Sequence, residues 1–180
     1  MKKETLSQIK SLMLPFTALI VVPSAMLALT DGFELGWGLT PSLDILVTVV
    51  GLVIIVGGLY LLISTIRLFA TVGRGTLAPW APPQKLVVAG LYRYVRNPMI
   101  SGVLLVILGE SIAFGSPIIF GWFTLFFIAN VAYFRFSEEP GLVKRFGTGY
   151  TRYRRNVPCW IPRLKPWCGE ASGERSQEGK

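Results

Sequence analysis

From Met99 to Phe134 the only charged side chain is Glu110. The stretch divides at Gly115-Ser116-Pro117, so it reads as two apolar segments joined by a tight turn. Two further apolar runs precede it: Leu12 to Leu29, interrupted by Pro15 and Pro23, and Leu43 to Ile66, with Asp44 only at its mouth. A helix that crosses a bilayer needs about 20 mainly apolar residues. A soluble domain made from 180 residues has no core that could hide four such runs. The expected fold is therefore all-α, an integral membrane protein with four transmembrane helices at about 12–29, 43–66, 99–114 and 117–134, the last two a helical hairpin. Composition agrees: 52% hydrophobic and 16% charged residues with a mean hydropathy of +0.53, well to the apolar side of soluble domains. The leading run does not read as a cleaved signal peptide, because the later spans hold the chain in the membrane regardless.

Charge placement gives the expected orientation. Lys2, Lys3 and Lys10 precede the first run, and Arg67, Arg74, Lys85, Arg93 and Arg96 lie between the second and third. Ten more basic residues follow the fourth, from Arg135 to Lys180. The loop from Thr30 to Ser42 holds Asp31 and Glu34 but no Lys or Arg. Basic residues collect on the cytoplasmic side, so the sequence predicts a multi-pass protein with both termini cytoplasmic. The net charge of +8 then reads as topology and contact with an anionic bilayer, not as a nucleic-acid surface. Two cysteines, Cys159 and Cys168, and no histidine make a metal site improbable and remove imidazole bases and His-based triads. Both cysteines fall in an expected cytoplasmic segment, where thiols stay reduced, and Cys159 reads as a packing residue.

The chain reads as one membrane domain, residues 1–168, with a disordered tail at 169–180 whose composition supports no core. The Gly- and Pro-rich stretch Thr71 to Pro83 reads as a loop, with Trp80 at the interface. Leu142 to Val157 reads as a cytoplasmic amphipathic helix. Phe146, Tyr150, Tyr153 and Val157 share one face, and Lys144, Arg145, Arg152, Arg154 and Arg155 occupy the remainder.

Polar, motif-dense stretches flank the hairpin on both sides: QKLVVAGLYRYVRNPMISG from Gln84 to Gly102, and RFSEEPGLVKRFGTGYTRYRRNVPCWIP from Arg135 to Pro162. Both feet of a membrane hairpin can converge on one site at the membrane surface. Such a site takes a soluble cosubstrate from water and an acceptor from lipid. In the first stretch, Gly90 permits close backbone approach to a ligand, and Pro98 opens a helix whose free amides can hold an oxygen. Read alone, it is equally a basic turn anchored by Tyr92 and Tyr94. Arg135 and Glu139 lie four apart, hence on one face of a continuous helix, with Pro140 expected to change the geometry there. Alone they read as a helix-ending ion pair. Glu110 is either a functional buried carboxylate or a residue near the outer interface.

Together the two stretches resemble the isoprenylcysteine carboxyl methyltransferase and phospholipid methyltransferase superfamily of membrane enzymes, over about Pro83 to Arg163. The family pattern H-x-L-V-x-x-G-x-Y-x-x-x-R-H-P-x-Y-x-G reads here QKLVVAGLYRYVRNPMISG. A second pattern, R-x-x-E-E before F-G-x-x-Y-x-x-Y-x-x-x-V-P, reads RFSEE and then FGTGYTRYRRNVP. The resemblance implies a site for S-adenosylmethionine. Gln84, Lys85, Leu86 and Val87, with Gly90 and Tyr92 nearby, would line the cofactor, and Asn97, Pro98, Met99 and Ile100 would form a second strip. It implies that Glu139 holds a polar group of the cofactor and that Arg135 faces the acceptor. Two departures stand out: Asn97 replaces a His and Ile100 a Tyr, and Asn cannot titrate near neutrality. Gln84 also replaces a His seen in some members.

So sparse a site suits methyl transfer, because a sulfonium is already an activated donor and the protein has mainly to position and desolvate. A carboxylate acceptor is ionised at pH 7 and needs no base; Arg135 could clamp it by bidentate hydrogen bonds. An amine acceptor must lose a proton, to Glu139 or Glu110. The expected function is S-adenosylmethionine-dependent methyl transfer to a lipophilic or small acceptor, isoprenylcysteine carboxylate-like, at the cytoplasmic membrane face. The alternatives are a phospholipid amine or thiol methyltransferase, and a non-catalytic membrane protein that retains the scaffold.

Overall fold

A computed structural model of the chain describes residues 13, 15–30, 37–72 and 86–169. Gln84, Lys85, Trp80, the lysines near the N-terminus and the tail beyond Gly169 lie outside the described residues. All regular structure among those described is helical. A π-helical turn, Thr17–Val21, runs into α1 (Val22–Leu29) and is followed by α2 (Pro41–Val72) and a 3-10 turn at Gly90–Arg93. Then come α3 (Pro98–Ala113), α4 (Pro117–Tyr133), a second π-helical turn at Phe134–Glu138, and α5 (Glu139–Asn156). Three of the helices open on a proline, Pro41, Pro98 and Pro117. At that position the missing N–H costs no intrahelical bond.

Among the described residues two helices are long and apolar enough to cross a bilayer, Pro41–Leu68 and the run Pro117–Asn156. The other two expected spans are shorter helices, Thr17–Leu29 and Pro98–Ala113. The 16 residues of α3 rise about 24 Å, short of the roughly 30 Å hydrocarbon layer. The expected loop start at Thr71 gives way to helix through Val72.

α2 and α3 pack antiparallel with almost no gap between their backbones. Gly51 faces Gly109, and Gly58 faces Gly102. A Cβ on Gly58 would lie 2.8 Å from the Gly102 carbonyl oxygen, and one on Gly109 would lie 2.7 Å from that of Gly51. In each helix the two glycines stand seven residues apart, two turns, so both contacts fall on one seam. α1 and α4 close over this pair: Ala18, Leu19 and Leu27 join Leu62, Val103, Val106, Ile107 and Ile119 in one buried cluster. The Trp122 indole N–H ties α4 to the first turn by donating to the Ala18 carbonyl at 3.1 Å.

Pro140 does not break the chain's course. The π-helical turn just before it lets the Glu139 N–H reach back to the Phe134 carbonyl, so the proline enters at the first turn of α5, where its absent donor is harmless. The change of geometry expected at Pro140 thus falls one turn earlier, as a widened turn in an unbroken helical run. α5 does bend at Gly147, whose φ of 53° and ψ of −128° suit glycine alone. Past the bend, Tyr150, Tyr153 and Val157 are buried against Leu86, Val88, Leu142, Phe146 and Trp167.

Candidate functional site

The two polar stretches meet beneath the hairpin. After α5 the chain turns back as a strap, residues 157–168, and its backbone bonds to the segment before α3. Arg96 N–H donates to the Pro158 carbonyl (2.9 Å), Arg163 N–H to Tyr94 (3.0 Å) and Trp167 N–H to Arg93 (2.9 Å). Side chains repeat the pattern: Arg93 Nε donates to the Trp167 carbonyl at 2.9 Å, and Arg96 Nε to that of Val157 at 3.0 Å. The Tyr153 hydroxyl donates to the Tyr92 carbonyl at 2.6 Å.

At the centre lies Glu139, only 5% exposed. One carboxylate oxygen accepts from Arg96; the other meets Arg135 at 3.3 Å and Arg154 at 3.4 Å. Burial alone would raise the Glu139 pKa. The Arg96 hydrogen bond and charge, with Arg154 and Arg135 behind them, outweigh it and hold the carboxyl below its usual value. Arg96 also donates to the Tyr150 hydroxyl at 3.2 Å and stacks over the Phe134 ring, 5.5 Å from its centroid. Its guanidinium therefore bridges three elements, α3's approach, the π-helical turn and α5.

Around this clamp opens a cleft of about 90 Å³, lined by Leu86, Val87, Tyr92, Arg96, Asn97, Phe134, Glu138, Leu142, Tyr150 and Tyr153. Leu86, Val87, Tyr92 and Asn97 were expected here from sequence. Arg96, Phe134, Glu138, Leu142, Tyr150 and Tyr153 were not assigned to the site, although all six fall within or between the quoted motifs. Glu138 is exposed along its surface, yet its carboxyl sits among enough protein for burial to raise its pKa. Burial likewise raises the Tyr92 and Tyr153 hydroxyls, so both are neutral at physiological pH.

The remaining expected residues among those described do not line the cleft. Pro98 is buried at the start of α3, and Met99 packs into the helical core. Ile100 is half-buried on the same turn. Gly90 opens the 3-10 turn at φ 53°, and a Cβ there would meet the Leu68 side chain of α2 at 3.3 Å. Its close approach is thus to a neighbouring helix. Arg135 lies on the outer side of the Glu139 clamp, its side chain 66% exposed. Asn97 Nδ2 lies 4.0 Å from Cys159 Sγ, and burial pushes that thiol up to about 11. Cys159 is therefore a thiol at neutral pH, consistent with a packing role.

Residues 46–149, more than half of the chain, match the phospholipid methyltransferase family. The chain belongs to this family. Two curated proteins are similar to parts of the chain. A 77-residue stretch is 38% identical to methanethiol S-methyltransferase 2 of Bradyrhizobium diazoefficiens, covering 41% of this chain and 27% of that protein. An 81-residue stretch is 36% identical to the protein-S-isoprenylcysteine O-methyltransferase of Schizosaccharomyces pombe, covering 43% and 33%. The matches thus span a third or less of these curated relatives. No solved structure gives a significant match. The superfamily resemblance read from the two motifs is borne out by this membership.

Proposed function

We propose that the chain transfers a methyl group from S-adenosylmethionine to a lipophilic or small acceptor at the cytoplasmic face of a four-span membrane domain. One observation carries this reading. The two motifs stand on opposite sides of the α3–α4 hairpin, yet the Arg96–Glu139 pair and the Tyr153–Tyr92 bond close them around one cleft. The printed names of the two relatives, one acting on a thiol and one on an isoprenylcysteine, support an acceptor in that chemical range.

The lining suits the methyl donor. A sulfonium is drawn to aromatic faces and carboxylates, and Tyr92, Phe134, Tyr150 and Glu138 offer both. Leu86, Val87 and Leu142 give apolar cover, and Asn97 brings one donor and one acceptor. About 90 Å³ accommodates the sulfonium end rather than the whole molecule. When bound, S-adenosylmethionine supplies a methyl group already activated on sulfur. The chain's own residues then have to hold it, exclude water and aim the acceptor.

Glu139, expected to touch the cofactor, has both oxygens committed to arginines. We therefore assign it a positioning role and give the contact with the cofactor to its neighbour Glu138, which lines the cleft. Arg135, one turn before Glu139 and open to the outside, is assigned to the acceptor. Calorimetry of the detergent-solubilised protein with S-adenosylmethionine and S-adenosylhomocysteine tests the reading. Glu138→Ala should weaken binding about tenfold or more, the equivalent of one charge-assisted hydrogen bond at about 1.5–3 kcal/mol, with the thermal midpoint unmoved. If the wild type binds neither compound, the proposal fails. If Glu138→Ala binds normally, Glu138 leaves the site.

A further inference from the structure

The strap that follows α5 carries large apolar side chains that none of the described residues covers: Ile161 is 79% exposed and Leu164 is 99% exposed. Neither belongs to a membrane-crossing helix, so the exposure of the spans does not account for them. What sits beside them does. Trp160 packs edge-on against Phe127 of α4 (5.8 Å between ring centroids) and against Phe134 (6.1 Å). Phe127 lies seven residues inside the end of the apolar run, about 10 Å along the helix axis at 1.5 Å per residue, and is itself an exposed residue. The strap therefore reaches down the lipid-facing flank of a helix apolar enough to cross a bilayer. Two cations bracket its apolar tip. Lys165 is exposed, and Arg163 is half-buried with one guanidinium nitrogen on the Asn156 carbonyl at 2.8 Å.

We propose that residues 160–165 form a membrane-inserted finger, with Ile161 and Leu164 in the boundary between headgroups and acyl chains and Lys165 among anionic headgroups. The chemistry is that of an interfacial anchor, apolar tips below and a basic rim above, with an indole at the level between. A long Lys stem lies along apolar surface while its ammonium stays at the headgroups. Water does not suit this surface, because two exposed aliphatic side chains on one short loop have nothing to gain there. The lipid surface is favoured over a second copy of the chain because the patch is continuous with the lipid-facing side of α4 and carries positive charge that identical chains would bring into conflict. The strap also bonds to Arg93, Tyr94 and Arg96, so inserting the finger fixes the cleft's height relative to the bilayer.

The full chain in nanodiscs of phosphatidylcholine with or without phosphatidylglycerol allows a direct test. Nitroxide labels are placed by Ile161→Cys, Leu164→Cys and, as an aqueous control on α5, Arg155→Cys, in a Cys159→Ala, Cys168→Ala background. Accessibility to molecular oxygen should exceed accessibility to a water-soluble nickel chelate at 161 and 164, and the order should reverse at 155. Phosphatidylglycerol should deepen position 164, and adding Lys165→Glu should remove that lipid dependence. If position 164 is as open to the nickel chelate as position 155, the finger is not in lipid and the proposal is overturned. Should the cysteine-free background not fold, a photo-crosslinking residue in place of Leu164 in the native-cysteine chain gives the same decision. Phospholipid adducts support the finger, and chain-to-chain adducts overturn it.

Discussion

Removing the Glu139 carboxylate strands three guanidinium groups of unequal exposure. Arg96 is 11% exposed at its side chain and Arg154 is 41%. Arg135, at 66%, stands mostly in the open. Breaking a buried pair by deleting one partner costs about 3–5 kcal/mol, whereas an exposed pair is worth about 0–1. Thermal unfolding in detergent should therefore show Arg96→Ala and Glu139→Gln markedly destabilised and Arg135→Ala close to wild type. Arg135→Ala should still abolish methyl transfer if it serves the acceptor, and Lys at that position should rescue poorly because it lacks the planar fork. Full turnover by Arg135→Ala would return that residue to a purely structural ion pair. The clamp also has a pH signature. A carboxyl held below its ordinary value stabilises the fold above the unfolded pKa, about 4.3, and that contribution disappears as pH falls through the lower, folded value. Acidification should thus lower the wild-type midpoint in the range below about pH 4.3, and Glu139→Gln should flatten that limb of the curve. The Arg135–Glu139 contact was legible in sequence because i and i+4 fix it. The decisive partner, Arg96, lies 43 positions away, where no local spacing points to it.

At the scale of helices, the hairpin was read nearly to the residue: 99–114 and 117–134 were expected, against Pro98–Ala113 and Pro117–Tyr133. Proline starts and a Gly-Ser-Pro turn announce themselves locally. The seam between α2 and α3 does not. Gly51 and Gly58, then Gly102 and Gly109, share a spacing of seven that is visible in the chain, but which glycine faces which depends on antiparallel pairing across a loop. The same holds for the strap, whose bonds to residues 93–96 follow no periodicity. Packing by close backbone contact is a main source of helix association where lipid removes the hydrophobic drive, so this seam should be unforgiving. A Cβ on Gly58 has backbone at 2.8 Å and nowhere to move. Gly58→Ala should force α2 and α3 apart and lower the thermal midpoint, while Gly57→Ala, with nothing within 4 Å, should leave it unchanged or slightly raised. Equal effects of the two would mean that the seam does not hold the helices.

For the molecule as a whole, the site depends on both motifs lying on one side of the membrane. In the topology proposed from the basic loops, the termini and the loop before α3 lie in the cytoplasm. Reporter fusions after Lys10, Ser42, Pro83 and Lys165 should read inside, outside, inside and inside. An outside reading at Pro83 would separate the motifs and overturn the four-span topology proposed. The cleft's closure has one more consequence, in time. Arg93 and Trp167, joined at the lock, are 74 residues apart. At about 5–20 residues per second a ribosome needs roughly 4–15 s to make that interval. Within it the hairpin is made and can be inserted, but until Trp167 emerges the loop before α3 has no complete strap to bond. Closing so long a loop also carries an entropic cost that local helix formation does not. The cleft is thus locked only after the spans are made, and a chain interrupted before the strap would leave its cleft unlocked.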